Sequence, residues 1–308
     1  MIRRSPSPHF KVYRGRFAPS PTGPLHFGSL IAAVGSFLEA RTHGGEWLVR
    51  IEDLDTPRTA PGAADNILHC LAAFGMAWDG EVMYQSTRTA AYRAALEQLQ
   101  IRGALYGCAC TRREIADSAT HGIEGPVYPG TCRNGLPVSS MTRVSRATRV
   151  QTLGARITFA DAVQGSVTQD VERSVGDFVV ARADGLIAYQ LAVVVDDAAQ
   201  GVTDVVRGAD LLDSTPRQIL LQQLLGLPMP RYMHLPVAVN AQGEKLSKQT
   251  LAPPLDPQQP SRQLAAALRF LGQAPPVHLE QCTPPRIWDW AITHWQSQRI
   301  PAQRTVRV

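Results

Sequence analysis

The segment from Gly15 to Thr42 constrains this chain more than any other part of it. Gly15 to Ala18 opens a short strand, Pro19 to Pro24 is a turn crowded with Pro, Ser, Thr and Gly, and a helix is expected from about Leu25 to Thr42, with Leu30, Val34 and Leu38 on one apolar face. A strand, a tight turn and a helix in direct succession aim backbone N–H groups and the positive end of a helix at one point in space, the geometry that holds phosphate. Trp47 to Ile51 reads as a second buried strand, ending in the acidic run Glu52-Asp-Leu-Asp55, and Ala63 to Phe74 and Ala90 to Ile101 read as amphipathic helices. Such alternation predicts an α/β fold built on an open, Rossmann-type parallel sheet.

The pattern changes after residue 106. From Cys108 to about Met141 the chain is polar and punctuated by Gly and Pro, and strand-like runs follow from Arg156 to Ala181, so 107–186 is read as an insert between two halves of one domain, 1–106 and 187–250. Alternation resumes with Ile187 to Asp197, Thr203 to Arg207 and a helix from Thr215 to Leu225 capped by Ser214 or Thr215. Ala252 to Pro260 is a Pro-rich linker, and helices near Ser261 to Leu271 and Arg286 to Gln298 give 251–308 a short helical character. The basic N-terminal stretch has no apolar core of a signal peptide, and no run approaches the ~18 apolar residues of a membrane span, so neither export nor membrane insertion is expected. Five cysteines are an odd number in a chain long enough to fold without staples, which favours a reducing cytoplasm over a disulfide framework. The net charge of +5 tilts weakly toward a polyanionic partner.

Three constellations carry chemistry. In Arg16 to Leu30 the glycines permit close backbone approach and His26 can hydrogen-bond a phosphoryl oxygen. In Gly243-Glu-Lys-Leu-Ser-Lys-Gln249 two lysines three apart flank a hydroxyl, a pair able to neutralise charge on a transferring phosphoryl group. Taken singly these are an ordinary turn before a helix and an ordinary solvated loop. The insert offers Cys108, Cys110 and Cys132, three thiolates of the kind that hold structural zinc, and His121 between them is the natural chemical candidate for a fourth ligand. Arg112, Arg113, Arg133, Arg143, Arg146 and Arg149 cluster in and after this region and suit phosphate contacts with an RNA stem.

Together, and in this order, the first two constellations resemble the signature sequences of class I aminoacyl-tRNA synthetases. The Arg16 to Leu30 segment, Arg50 to Arg58, Val205 to Gln218 and Tyr232-Met-His-Leu-Pro236 resemble the glutamyl-tRNA synthetase group over roughly residues 15 to 250. Only residues 249–308 follow Lys248, too few for that group's anticodon-binding region, so the resemblance is to its truncated branch, the glutamyl-Q tRNA(Asp) synthetases. What it implies is an ATP-dependent, adenylate-forming ligase that activates L-glutamate without tRNA and transfers it to queuosine in the anticodon of tRNA(Asp). It is expected to act as a monomer. By the same resemblance Arg16, Tyr189 and Arg207 face the side-chain carboxylate of glutamate, Ser20 and Glu52 lie near its ammonium, and Phe17, Ala18 and Pro19 complete the site. His26, Gly28, Lys245, Ser247 and Lys248 would hold ATP, with Mg²⁺ bound mainly through the phosphates; His26, Lys245 and Lys248 carry catalysis. The family pattern points to Tyr128, instead of His121, as the oxygen ligand that completes a structural Zn²⁺ site with Cys108, Cys110 and Cys132. Ser29 and Gln249 depart from the general class signatures, which end in His and Ser at those places. Two other readings are a truncated glutamyl-tRNA synthetase acylating a tRNA 3′ end and a non-catalytic paralogue that binds RNA or amino acid.

Overall fold

The structure, a computed structural model, describes residues 12–118, 120–123, 125–136, 147–246 and 253–308. The first part of the chain runs β1 (Arg14–Phe17), α1 (Phe27–Thr42), β2 (Glu46–Ile51), α2 (Ala63–Ala73), β3 (Met83–Tyr84) and α3 (Thr89–Ile101). A middle part follows with β4 (Leu105–Cys108), α4 (Arg112–Ser118), a small hairpin of β5 (His121–Gly122) and β6 (Gly125–Pro126), then β7 (Ala147–Val150), β8 (Arg156–Asp161), β9 (Gly165–Asp170), the one-turn α5 (Val171–Ser174) and β10 (Phe178–Ala181). The last part holds α6 (Tyr189–Ala199), β11 (Asp204–Gly208), α7 (Thr215–Leu225), β12 (Arg231–Leu235), β13 (Val237–Val239), α8 (Pro260–Phe270), α9 (Pro284–His294) and β14 (Thr305–Arg307).

β1, β2 and β3 pair in parallel, as do β11 and β12. The two groups meet where Thr203 N–H donates to the Arg14 carbonyl at 2.9 Å and the Thr203 hydroxyl accepts from Arg14 N–H at 2.8 Å. The resulting order, β3-β2-β1-β11-β12, is the doubly wound arrangement, and its switch point lies between β1 and β11, where the connections leave toward opposite edges. β8, expected as part of the insert, instead extends this sheet: Tyr232 of β12 pairs with Asp161, and Ala162 N–H donates to the Tyr232 carbonyl at 2.9 Å. β4, β7 and β10 form a separate antiparallel sheet.

The predicted apolar face of α1 is the centre of the larger core. Leu30, Val34 and Leu38 are fully buried, each contributing about 2 kcal/mol, and they pack with Trp47, Val49 and Ile51 of β2 and with Leu264, Leu268 and Trp288 from α8 and α9. The Trp288 indole N–H donates to the Phe74 carbonyl at 2.8 Å, tying the C-terminal helices to the first half. α9 stops at His294, four residues short of expectation, because Trp295 turns extended and its indole reaches Glu39 of α1 at 2.6 Å. α6 starts at Tyr189, since Ile187 is taken up in a bridge to Ala181. Among the described residues no helix is long and apolar enough to cross a membrane.

Candidate active site and metal cluster

A cleft of about 210 Å³ opens at the C-terminal ends of β1, β2 and β11, on the switch point of the sheet. Arg16, Phe17, Ala18, His26, Gly28, Glu52, Tyr189, Arg207 and Lys245, all singled out in the sequence, line it together. Ser20 lines an adjoining cavity that shares Ala18, Glu52 and Tyr189 as its wall. Pro19 lines neither; its carbonyl accepts the Glu52 N–H at 3.0 Å and so fixes where that carboxylate begins. Phe17 turns much of its ring into the core, stacked on Trp47 with centroids 6.2 Å apart. Ser247 and Lys248 lie outside the described residues.

Two guanidinium groups dominate the cleft, and they are held differently. Arg16, 3% exposed, donates to Asp197 at 3.1 Å, and the same carboxylate takes Arg50 at 2.8 Å. Burial alone would push the Asp197 carboxyl up, but Arg16 and Arg50 outweigh it and hold it below the ordinary range. Arg50 also reaches Glu52 at 3.3 Å. The Glu52 carboxyl is nevertheless pushed up by burial, more than Arg50 and Arg16 pull it down. Such a carboxylate would gain from a cation arriving in the cleft. Arg207, 5% exposed, donates to Thr215 Oγ1 and Gln218 Oε1 at 2.8 Å each and to His234 Nε2 at 3.1 Å. Its other end lies 3.5 Å from the Tyr189 hydroxyl.

The phosphate-holding turn has a specific local cause. His26 is the N-cap of α1: its Nδ1 accepts the Ser29 N–H at 3.3 Å, and the Ser29 hydroxyl lies 3.5 Å from the His26 N–H, a reciprocal capping box. Ser29, the departure from the class signature, thus has a structural use. Opposite this helix end, Leu246 N–H donates to the Ala238 carbonyl at 2.8 Å, pinning the start of the lysine loop to β13, and Lys245 Nζ meets Asp210 at 2.6 Å.

Beyond the cleft, Cys108, Cys110 and Cys132 bring their sulfurs within 4.8 Å of one another, a set able to hold a metal ion. The Tyr128 hydroxyl joins them, 3.4 Å from Cys108 Sγ and 3.8 Å from Cys110 Sγ, while Cys110 and Cys132 sulfurs are 3.5 Å apart. Tetrahedral zinc with bonds of about 2.3 Å to sulfur and 2.0 to 2.2 Å to oxygen needs ligand atoms roughly 3.4 to 3.8 Å apart, so the donor set fits. His121 has its backbone in the β5–β6 hairpin, and its side chain lies outside the described residues. Arg149 is 8% exposed and lies over the Tyr128 ring at 3.8 Å, and Arg133 pairs with Asp177 at 2.7 Å and Glu172 at 3.0 Å. Arg149 is thus engaged by the cluster and Arg133 by two carboxylates, whereas Arg112 and Arg113 are exposed on α4 and Arg143 and Arg146 lie outside the described residues. Sequence reasoning missed Asp197, Asp210, Asp161 and His234. The only advance signal was Asp196-Asp197 ending an otherwise apolar helical run, where buried charge implies a partner.

Residues 12–264 match the family of class I tRNA synthetases (E and Q), catalytic domain. The chain is 60% identical over 296 residues to a Dechloromonas aromatica protein named glutamyl-Q tRNA(Asp) synthetase, covering 96% of this chain and 97% of that one. A protein of the same name from Pseudomonas aeruginosa is 51% identical over 294 residues, again 96% of this chain and 97% of the relative. Among solved structures, glutamate-tRNA synthetase from Elizabethkingia anophelis superposes with a TM-score of 0.78 at 24% identity, over 97% of this chain and 68% of that one, a likeness of fold. With sequence agreement along nearly its whole length and a Rossmann-type cleft at the switch point, the chain belongs to the glutamyl-Q tRNA(Asp) synthetase family of class I tRNA synthetases and is a ligase.

Proposed function

We propose that the chain activates L-glutamate with ATP, in the absence of tRNA, and transfers the glutamyl group to queuosine in the anticodon of tRNA(Asp). The observation that carries this reading is the pair of buried guanidiniums, Arg16 and Arg207, set with Glu52 and Tyr189 in one cleft beside the N-terminus of α1. A dicarboxylate with one ammonium matches that charge pattern: Arg16, Arg207 and Tyr189 take the side-chain carboxylate, and Glu52 with Ser20 takes the ammonium. Phe17, Ala18 and Pro19 shape the wall from which Glu52 is hung. An oxygen of the α-carboxylate then attacks the α-phosphorus of ATP, the bond to the β-phosphate bridge breaks, and pyrophosphate leaves. His26, the backbone at Gly28, Lys245, Ser247 and Lys248 hold the nucleotide and offset charge on the departing phosphates, so the protein contributes positioning and electrostatics. Mg²⁺ would come with ATP, held mainly by the phosphates. Transfer to queuosine releases AMP.

The test is transfer of labelled glutamate, with ATP, to tRNA containing or lacking queuosine, alongside glutamate-dependent ATP–pyrophosphate exchange without RNA. Label confined to the queuosine-containing pool together with RNA-free exchange is the expected result; equal labelling of both pools, or label at the tRNA 3′ end, refutes the assigned acceptor.

Cys108, Cys110, Tyr128 and Cys132 would hold one Zn²⁺, which ties the end of β4 to the loop that follows β6. The Tyr128 oxygen already accepts the Cys132 N–H at 2.9 Å, a placement that suits an anionic oxygen. Metal analysis should give one zinc per chain, with Tyr128→Phe binding it more weakly under competition by a chelator. Equal retention in wild type and variant would remove Tyr128 from the ligand set.

A further inference from the structure

Among the described residues, Arg207 is a buried cation with no anion beside it. Its hydrogen-bond partners among the described residues are all neutral: the Thr215 hydroxyl, the Gln218 amide oxygen, the Leu211 carbonyl, the Tyr189 hydroxyl and His234 Nε2. Among the described residues no carboxylate lies within ion-pair distance of it, in contrast with Arg16 on Asp197. A guanidinium has donors only, so His234 Nε2 must be the unprotonated acceptor in the 3.1 Å contact, and the ring proton sits on Nδ1. That proton points at Asp161 Oδ2, 2.6 Å away. Asp161 is itself fixed, its other oxygen accepting the N–H groups of Val163, Gln164 and His234 at 3.0, 2.8 and 3.2 Å. Both members of the dyad are fully buried and outside the cleft lining.

We propose that Asp161 and His234 are positioning residues for the substrate carboxylate: Asp161 locks the His234 tautomer, and the neutral ring orients Arg207 without cancelling its charge. The inference rests on the proposed reading of the cleft as a glutamate site. A carboxylate in place of His234 would orient Arg207 equally well, but it would neutralise the guanidinium and compete with the ligand. A neutral acceptor keeps the full charge for the incoming anion, and with it the preference for a carboxylate over the isosteric carboxamide of glutamine. Burial pushes the His234 ring down to about 4, against the pull of Asp161 and with the help of Arg207, so the ring stays neutral through the working pH range.

The experiment combines pyrophosphate-exchange kinetics on the full chain with ¹⁵N spectra of its labelled histidines. Wild-type His234 should show an unprotonated Nε2 and a protonated Nδ1. His234→Ala should raise the KM for glutamate about 10- to 100-fold with the KM for ATP unchanged, and His234→Gln, whose amide oxygen can stand near Nε2, should recover most of that loss. His234→Glu should lower the glutamate-over-glutamine preference. Should the alanine variant fail to fold, the isosteric Asp161→Asn keeps the test open: its amide can donate to Nδ1, forcing the proton onto Nε2 against Arg207, with the same selective rise in KM. A proton on Nε2 in the wild type overturns the proposal, as does an unchanged glutamate KM in both variants or an equal rise for ATP. A wild type with no glutamate-dependent exchange would instead bring down the functional reading, and the proposal with it.

Discussion

Gly28 shows how closely the lysine loop approaches the helix that faces it. A Cβ there would stand 3.0 Å from the His26 ring and 3.1 Å from the Leu246 carbonyl oxygen, and the second of these is backbone that cannot rotate away. Gly28→Ala should therefore shift the loop by a few tenths of an ångström against the helix end, raising the KM for ATP in pyrophosphate exchange about 10-fold, by the weakening of roughly one charge-assisted hydrogen bond, while glutamate KM stays put. An unchanged KM for ATP would show that the close approach has no bearing on the nucleotide. His234 gives a prediction of the opposite kind, on stability. Unfolded, its ring takes a proton near pH 6.5; folded, burial and the charges of Arg207 and Arg16 outweigh Asp161 and keep the proton off until about pH 4. Between those values the unfolded chain binds more protons, so stability falls as pH drops from 6.5 to 4, by about 3 kcal/mol, and flattens below. Urea unfolding at pH 7, 6 and 5 should show this slope in the wild type and lose it in His234→Gln. The residues of the cleft were legible through the resemblance of Arg16 to Leu30, Arg50 to Arg58, Val205 to Gln218 and the lysine loop to the family's segments; taken singly, Arg16 and Arg207 read as surface salt bridges and Tyr189 as core packing. Asp161 and His234 were not legible: an Asp after a strand and a His before Leu-Pro are ordinary, and only the parallel pairing of β8 with β12 puts them 2.6 Å apart.

Secondary elements explain why the legible motifs work as they do. His26 does two jobs: it caps α1 through Nδ1 and, in the proposed reading, meets a phosphate. The roles separate by substitution. His26→Ala should lose both, costing about 1 kcal/mol of stability as well as exchange activity, whereas His26→Ser restores an N-cap oxygen and the stability without restoring activity. Recovery of exchange in the serine variant would reduce His26 to a cap. The boundaries of α1, α3 and α7 were readable to within two residues because a glycine in the left-handed region ends each run, Gly44, Gly103 and Gly226, although neither Arg88 nor the expected Ser214 caps its helix through a side chain. Local signals misled in two places where tertiary contacts decide. Arg133 and Arg149 read as RNA-facing from charge alone, yet a buried Asp177 and the Tyr128 ring draw them inward. β8 read as insert because its sequence alternates as an exposed hairpin strand does, with only its end meeting β12.

At the scale of the whole molecule, the closing strand β14 was invisible in the sequence, since Thr305-Val-Arg307 is too short to carry a period. Its position gives it consequence. It pairs in parallel with β13 over Val237–Val239, Val308 N–H donates to the Val239 carbonyl at 3.1 Å, and Arg304 grips Asp213 at 2.8 Å. β13 in turn carries the start of the lysine loop through the Val239–Lys245 bridge and the Leu246–Ala238 hydrogen bond. The far end of the chain therefore braces one wall of the cleft, although it contributes no side chain to the lining. A chain ended after Gln303 keeps the core around α1, because α8 and α9 remain packed on that helix, but it exposes the edge of β13 and frees Lys245 and Leu246 to move with it. Its melting temperature should fall by a few degrees, about 2 to 4 °C for each kcal/mol lost. Exchange activity should fall further than that loss explains, chiefly through a weaker ATP interaction, with the glutamate KM held because Arg16, Arg207 and Glu52 are anchored on β1, β2 and β11. Equal losses for both substrates would mean that β14 supports the fold at large and has no particular hold on the loop.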